Sequence, residues 1–355
     1  MKTTRLITML ALATAMLTSC EQYGDAKMHT IVNKDGTCTR EINFKDESPK
    51  SIALSDAWTS TPDANDTARI TYSRNFDNVE QMCQDVPLLL NGKPLQSKAT
   101  FEKRFRWFYT EYTFAEEFAS LGNDFQLPPT DFATADEVSY WFTGQPNLTN
   151  GMNGAEAAEL LTNIGEKIDY WLSANLFCSG FDYICDNYDQ VKNPPVSREE
   201  FVLLRDSILH FRDSLIAFAH PEDSIANLAR TATSEQSYYA KVFEKFFDSK
   251  AFDKFFNEKD ETGCYSGLNE KVEPLMHFSA LSVPYSLSMP GNVIDCGNGI
   301  CQNGTIIYPL TGERMIPQSY TITATSRVKH TWAYVAMILI VAMAVCGFVF
   351  QRKKI

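Results

Sequence analysis

The hydrophobic periodicity of this 355-residue chain changes twice, and that double switch limits the folds open to it. Over residues 27–45 apolar and polar positions alternate. Met28, Thr30 and Val32 lead into Lys34, Asp35 and Gly36, and Cys38, Arg40, Ile42 and Phe44 lead out. A period of two places neighbouring side chains on opposite faces of a strand, and Asp-Gly supplies the backbone freedom a tight hairpin turn needs. Residues 46–66 are polar and read as a loop, 68–72 as a further strand, 79–90 as a short helical segment and Asn91-Gly92 as a turn. Residues 99–118 are dense in β-formers. As one strand they put Phe101, Phe105, Trp107 and Tyr109 on one face and Phe108, Tyr112 and Phe114 on the other, so both faces require cover. Core packing is the plain reading of these rings. The other is a ligand platform faced by Phe101, Phe105, Trp107 and Tyr109.

From 130 to about 257 the period becomes helical. Thr134 and Glu137 have the spacing of a capping box, as do Ser197 and Glu200 after Pro194-Pro195. One helix beginning at Ala155 carries Ala157, Leu161, Ile164, Ile168, Trp171 and Asn175 at spacings of four and three. A second carries Phe201, Leu204, Ile208, Phe211, Leu215 and Phe218, and the two seams are expected to pack as an antiparallel hairpin. Tyr239, Val242, Phe243, Phe246, Phe252 and Phe255 define a third helical region. Strand and turn patterns return from Lys271, with Pro290-Gly291 as a turn. The expected fold is therefore α+β. A β-rich domain is built from N- and C-terminal segments, 20–129 and 261–326, with a helical insertion at 130–260.

The two ends carry their own signals. Residues 1–19 read as a lipoprotein signal peptide, with Lys2 and Arg5 ahead of an apolar run that stops at Thr18, Ser19 and Cys20. Leu17-Thr18-Ser19-Cys20 resembles a lipobox, which makes Cys20 the expected lipid attachment site. Residues 331–350 contain no charge and, at ~1.5 Å per residue, reach about 30 Å, the length expected of a C-terminal transmembrane helix. Arg352, Lys353 and Lys354 in the tail 351–355 assign that end to the cytoplasm. The expected location is the bacterial inner (cytoplasmic) membrane, with the domain facing the periplasm or exterior and the membrane as its first partner.

Charge and cysteine content exclude some classes. The chain has 32 Lys and Arg against 44 Asp and Glu, a net charge of −12, which argues against nucleic acid as a partner. With Cys20 and Cys346 set aside, seven cysteines remain, so at least one is unpaired or bonded to another molecule. Cys296 and Cys301 are the candidate disulfide, because Gly297-Asn298-Gly299 can turn the chain between them. Cys178 and Cys185 would stand too far apart on an unbroken helix. No pair has zinc-site spacing and the five histidines are scattered, so neither a metal nor another cofactor is expected.

Residues 28–44, 287–303 and 320–326 resemble the LppM-like lipoproteins. The shared order is a lipobox, a strand with an Asp-Gly turn, a late Pro-Gly turn with Asn-Gly, and a C-terminal transmembrane helix. The resemblance covers about a fifth of the chain and leaves the helical block without a counterpart. It implies a β-rich envelope domain, with lipid or glycolipid binding rather than catalysis, and assigns no binding residue. Separately, Asp66-Thr67-Ala68, Asp206-Ser207-Ile208, Asp213-Ser214-Leu215 and Asp223-Ser224-Ile225 are similar to O-glycosylation tripeptides of Bacteroidetes envelope proteins.

No metalloprotease, nucleophile-elbow, phosphate-loop or Cys-x-x-Cys motif occurs, so no catalytic residue is assigned. The first expectation is a non-enzymatic module for a lipid, another hydrophobic ligand or an envelope protein. Its pocket would lie where the aromatic strand meets the helical block. A structural or assembly subunit of a membrane complex is the second reading. A hydrolase is the third, and it requires a nucleophile–base pair brought together by the fold.

Overall fold

The computed structural model describes residues 26–45, 51–63, 66, 68–217, 235–257, 259 and 261–352. Two units divide them. One comprises the described residues of Gln22–Ala119, Ser282–Thr311 and Ser319–Ile355, and the other those of Ser120–Leu281 and Gly312–Gln318. The architecture is α+β with a mixed sheet.

In the first unit the N-terminal segment supplies β1 (Lys27–Val32), β2 (Cys38–Lys45), β3 (Thr59–Pro62), β4 (Arg69–Phe76), the short β5 (Leu89–Leu90) and β6 (Lys93–Pro94), β7 (Ser97–Arg106) and β8 (Tyr109–Phe118). The later segments add β9 (Ser282–Ser288), β10 (Asn292–Asp295), β11 (Ile300–Gln302), β12 (Thr305–Thr311) and β13 (Tyr320–Lys329). A seven-stranded sheet runs β11-β12-β9-β1-β2-β4-β3 and a four-stranded sheet runs β10-β13-β8-β7. The parallel pairing of β1 with β9 joins the two ends of the chain into one sheet, while the neighbouring ladders are antiparallel. The β1–β2 hairpin turns where Asp-Gly stands, with Gly36 at φ +94° and the Thr37 N–H donating to Asp35 Oδ1 at 3.1 Å.

Strands β1, β2, β8, β9, β12 and β13 alternate buried and open residues, so each sheet has one apolar face. These faces meet. Tyr308 Oη donates to the Thr323 carbonyl at 2.7 Å, and the rings of Phe118 and Tyr285 pack edge to face at 6.4 Å. Arg40 and Glu116 pair between the sheets, both side chains fully buried.

Residues 99–118 are not one strand. The chain reverses at Trp107 and Phe108, and β7 pairs with β8 in the register Arg106↔Tyr109 and Phe101↔Phe114. The fold-back puts even-numbered residues of β8 on the same face as odd-numbered residues of β7. Of the four rings expected on one face, Phe101 and Phe105 keep a common face, while Trp107 falls in the turn and Tyr109 goes to the opposite face.

In the second unit α1 (Ala135–Thr143) carries the Thr134–Glu137 capping box and closes on Gly144 in the left-handed conformation, φ +76°. The long α2 (Gly154–Asp186) is capped by Asn153 and Glu156. Its seam is buried from Ile164 onward, while Leu161 is exposed. The fully buried Asn175 ties α2 to the preceding segment: Oδ1 accepts from Leu127 N at 2.9 Å, and Nδ2 donates to the carbonyls of Leu127 and Trp171. The helix expected from Ser197 is interrupted at Leu204, giving α3 (Arg198–Leu203) and α4 (Arg205–Ala217). α5 (Glu235–Phe247) and α6 (Cys264–Val272) complete the set, and a 3-10 stretch, Glu273–Ala280, leads back to the sheet. Helix thus persists through 264–280, where the sequence pattern already suggested strand. Its core is aromatic: Phe201 stacks on Phe181 at 4.6 Å and lies 5.1 Å from Phe252. Complete burial of one such ring stabilises by about 1.5–3 kcal/mol.

The transmembrane expectation is corrected. The C-terminal helix runs Thr331–Arg352. Among the described residues no helix is long and apolar enough to cross a membrane. The signal peptide 1–19, Cys20, the tail residues Lys353, Lys354 and Ile355, and Thr67, Phe218 and Ser224 lie outside the described residues.

Candidate functional site

A groove of about 510 Å³ opens in the helical unit. The later half of α2 forms one wall with Leu176, Phe177, Gly180, Phe181 and Ile184. Tyr239 and Phe243 of α5, and Leu268 and Val272 of α6, line the others. Gly180 sets the approach of α2 to α6, since a Cβ there would stand 3.3 Å from Leu268 Cδ1. The polar groups are Tyr239, Tyr265, Asn269 and Glu273. Tyr239 is bonded to Ser173, and Glu273 pairs with His277 at 3.6 Å. Among the described residues the lining contains no serine, cysteine, histidine or lysine. Such a site holds an apolar body and offers a few polar contacts to orient it. Burial pushes the nearby thiols of Cys178 and Cys185 up, Cys185 to about 11, so neither is a ready nucleophile at neutral pH.

A second constellation lies on the outer face of the seven-stranded sheet. His29 on β1 has Nε2 2.9 Å from Ser288 Oγ on β9 and Nδ1 3.2 Å from Glu41 Oε2 on β2. Hydroxyl, imidazole and carboxylate stand in the order of a serine-hydrolase relay. The strands supply this order through register. His29 is opposite Glu41, and Ser288 is in register with Ile31, one position along the same face from His29. Ser288 also lines a shallow depression of about 600 Å³ beside the 33–37 turn. Yet Ser288 is paired with Ile31 on one side and Thr305 on the other, so its backbone belongs to two ladders and forms no oxyanion hole.

The four expected ligand-facing aromatics do not converge on the groove. Phe101 stacks on Tyr112 at 5.8 Å, Phe105 lies against His330 at 5.0 Å, Trp107 sits in the hairpin turn against Trp332, and Tyr109 lies under the guanidinium of Arg327. Cys296 and Cys301 form a disulfide with Cα atoms 6.1 Å apart. Cys178 and Cys185 share α2 and are both free. Among the described residues no group of three or more His, Cys, Asp or Glu is placed to hold a metal.

Sequence reasoning missed both sites for different reasons. The groove wall was readable, because Phe177, Phe181 and Ile184 follow one another at spacings of four and three, in a row beside the seam that ends at Asn175. The relay joins residues 12 and 259 positions apart, and only strand pairing brings them together. No protein-family model matches the chain, and comparison with curated proteins and with solved structures finds no match.

Proposed function

We propose that this chain is a bacterial envelope lipoprotein, attached through a lipid on Cys20, whose helical unit binds a lipid or other apolar ligand without chemically changing it. The groove in the helical unit carries the reading. Its volume, about 510 Å³, falls among those of small-molecule sites, and its walls are aromatic and aliphatic. Glu273, Asn269 and Tyr265 offer a carboxylate, an amide and a phenol to a polar head group. The lipobox at residues 17–20 and the resemblance to LppM-like lipoproteins point the same way.

The test is extraction of the full chain, purified from its native envelope in mild detergent, followed by mass spectrometry. One apolar species near stoichiometric amount is expected. A Val272→Trp variant, which places an indole in the groove, is expected to lose most of it. An equal, sub-stoichiometric lipid content in both proteins would reject the reading. Mass analysis of the mature N-terminus tests the anchor separately, since an unmodified Cys20 removes it.

A hydrolase is the second reading, favoured by the Ser288–His29–Glu41 relay. It ranks below the first because one oxyanion-hole donor is worth about 10²–10³ in turnover, and the backbone at Ser288 offers none.

A further inference from the structure

The tip of the β7–β8 hairpin and the first turn of the C-terminal helix form one aromatic surface. Trp107 is 53% exposed and Phe105 63%, although both are large apolar residues, and Trp332 is 53% exposed beside them. Trp107 packs edge-on against Trp332 at 5.4 Å, and Phe108 meets Tyr334 at 5.1 Å. His330 fixes the arrangement. Its backbone N–H donates to the Phe108 carbonyl at 2.8 Å, its Nε2 lies 2.8 Å from Thr110 Oγ1, and its ring stacks on Phe105. These rings are thus held in place while their faces remain open to solvent.

The charge around them has the opposite sign to that of the chain. Strand β7 exposes Lys103, Arg104 and Arg106 at the hairpin end, and β13 brings Lys329 into register beside Tyr109. Of these, Arg104 is paired with Glu102. A cationic margin on a chain of net charge −12 is a local feature. Beyond Tyr334 the C-terminal helix exposes Val335, Ile338 and Leu339.

Exposed Trp and Tyr rings, cations around them and apolar side chains beyond are the chemistry of a lipid–water interface. Indole and phenol rings settle at headgroup depth, and Lys and Arg meet anionic headgroups. We propose that this hairpin tip is an interfacial contact surface for an anionic phospholipid bilayer, with Trp107 and Trp332 at headgroup depth and Lys103 and Arg106 facing the phosphates. The proposal requires no segment to cross the bilayer. It rests neither on the groove nor on its ligand.

Tryptophan quenching tests it. Full-length protein is added to vesicles of phosphatidylcholine and phosphatidylglycerol (3:1) or of phosphatidylcholine alone, each with bromine on the upper acyl chain. Wild-type emission is expected to be quenched clearly more than that of Trp107→Phe, a substitution of an exposed turn residue. Lys103→Gln combined with Arg106→Gln is expected to weaken partitioning onto the anionic vesicles about tenfold or more, with little change on the neutral ones. Equal quenching of wild type and Trp107→Phe overturns the proposal, as does equal partitioning of the charge variant. Protection of Trp107 from aqueous iodide without lipid, in a particle of twice the monomer mass, assigns the surface to a second copy and also overturns it.

Discussion

Arg40 Nη2 donates to Glu116 Oε2 at 2.6 Å between the two sheets, with both side chains fully buried. Thr30 accepts from Arg40 Nε, and Tyr285 Oη donates to Glu116 Oε2 at 2.8 Å. Burial pulls the Arg40 pKa down, but Glu116, with Tyr285 and Cys83, turns the net direction upward, so the guanidinium keeps its charge. Among the described residues Arg40 Nη1 has no hydrogen-bond partner. Replacing one partner strands a charge in the core, at a cost of about 3–5 kcal/mol. Glu116→Leu is therefore expected to destabilise the β unit by that amount, and Arg40→Met with Glu116→Leu to recover most of it. Hydrogen exchange at the β2 and β8 amides during denaturant titration reads the β unit by itself. Additive losses in the double variant would refute the coupling.

Cys38 gives a pH dependence with a defined sign. Its thiol lies in the core beside Met82, and burial pushes it up from 9.0 to about 11, with Arg40 opposing in part. Between those values the unfolded chain releases the proton and the folded one keeps it. Stability from this group is thus complete below pH 9 and lost as pH rises through about 11. One such group changes stability by about 1.4 kcal/mol per pH unit in that window. Chemical denaturation at pH 8, 9.5 and 11 is expected to show a smaller decline for Cys38→Ala than for wild type. Parallel declines would show that Cys38 does not titrate in this way.

The elements legible in the sequence are those set by local chemistry. The Asp35-Gly36 hairpin and the Thr134 and Ser197 capping boxes each depend on residues a few positions apart, and all three form. Residues 99–118 were harder, because period two reads the same along one long strand and through a reversal. Only the partner strand reveals the turn at Trp107, where no Gly, Asn or Pro marks it. Pairing of β1 with β9 lies further still from local pattern, since it joins residues more than 250 positions apart. The relay at His29 exists only because of it. Conversely, the uniform apolarity of 331–350 pointed to a membrane span, whereas among the described residues no helix is long and apolar enough to be one.

The relay can be judged by one comparison. If Ser288 is an activated nucleophile, an alkyl fluorophosphonate should label wild type at Ser288 and leave Ser288→Ala and His29→Ala unlabelled. The binding reading expects no label at Ser288 in any of the three. It also expects Glu41→Gln to alter stability by less than about 0.5 kcal/mol, the usual range for an open surface position. Peptide mapping after labelling decides the matter, and a His29-dependent adduct on Ser288 would move the protein into the hydrolase class.

Removal of the ligand should be felt in one unit only. A molecule that binds the folded groove and not the unfolded chain stabilises by RT ln(1 + [L]/Kd), about 2.7 kcal/mol at a hundredfold excess over Kd. Delipidated protein is therefore expected to lose protection at amides of α2, α5 and α6, whose side chains Phe181, Phe243 and Leu268 line the groove. Amides of β1, β2 and β8 should keep theirs, since none of those strands contributes a lining residue. Val272→Trp separates binding from general softness of the helices: with the groove filled by its own side chain, delipidation should change its exchange rates little. Equal sensitivity of wild type and Val272→Trp would mean that the extracted lipid had been held somewhere other than this groove.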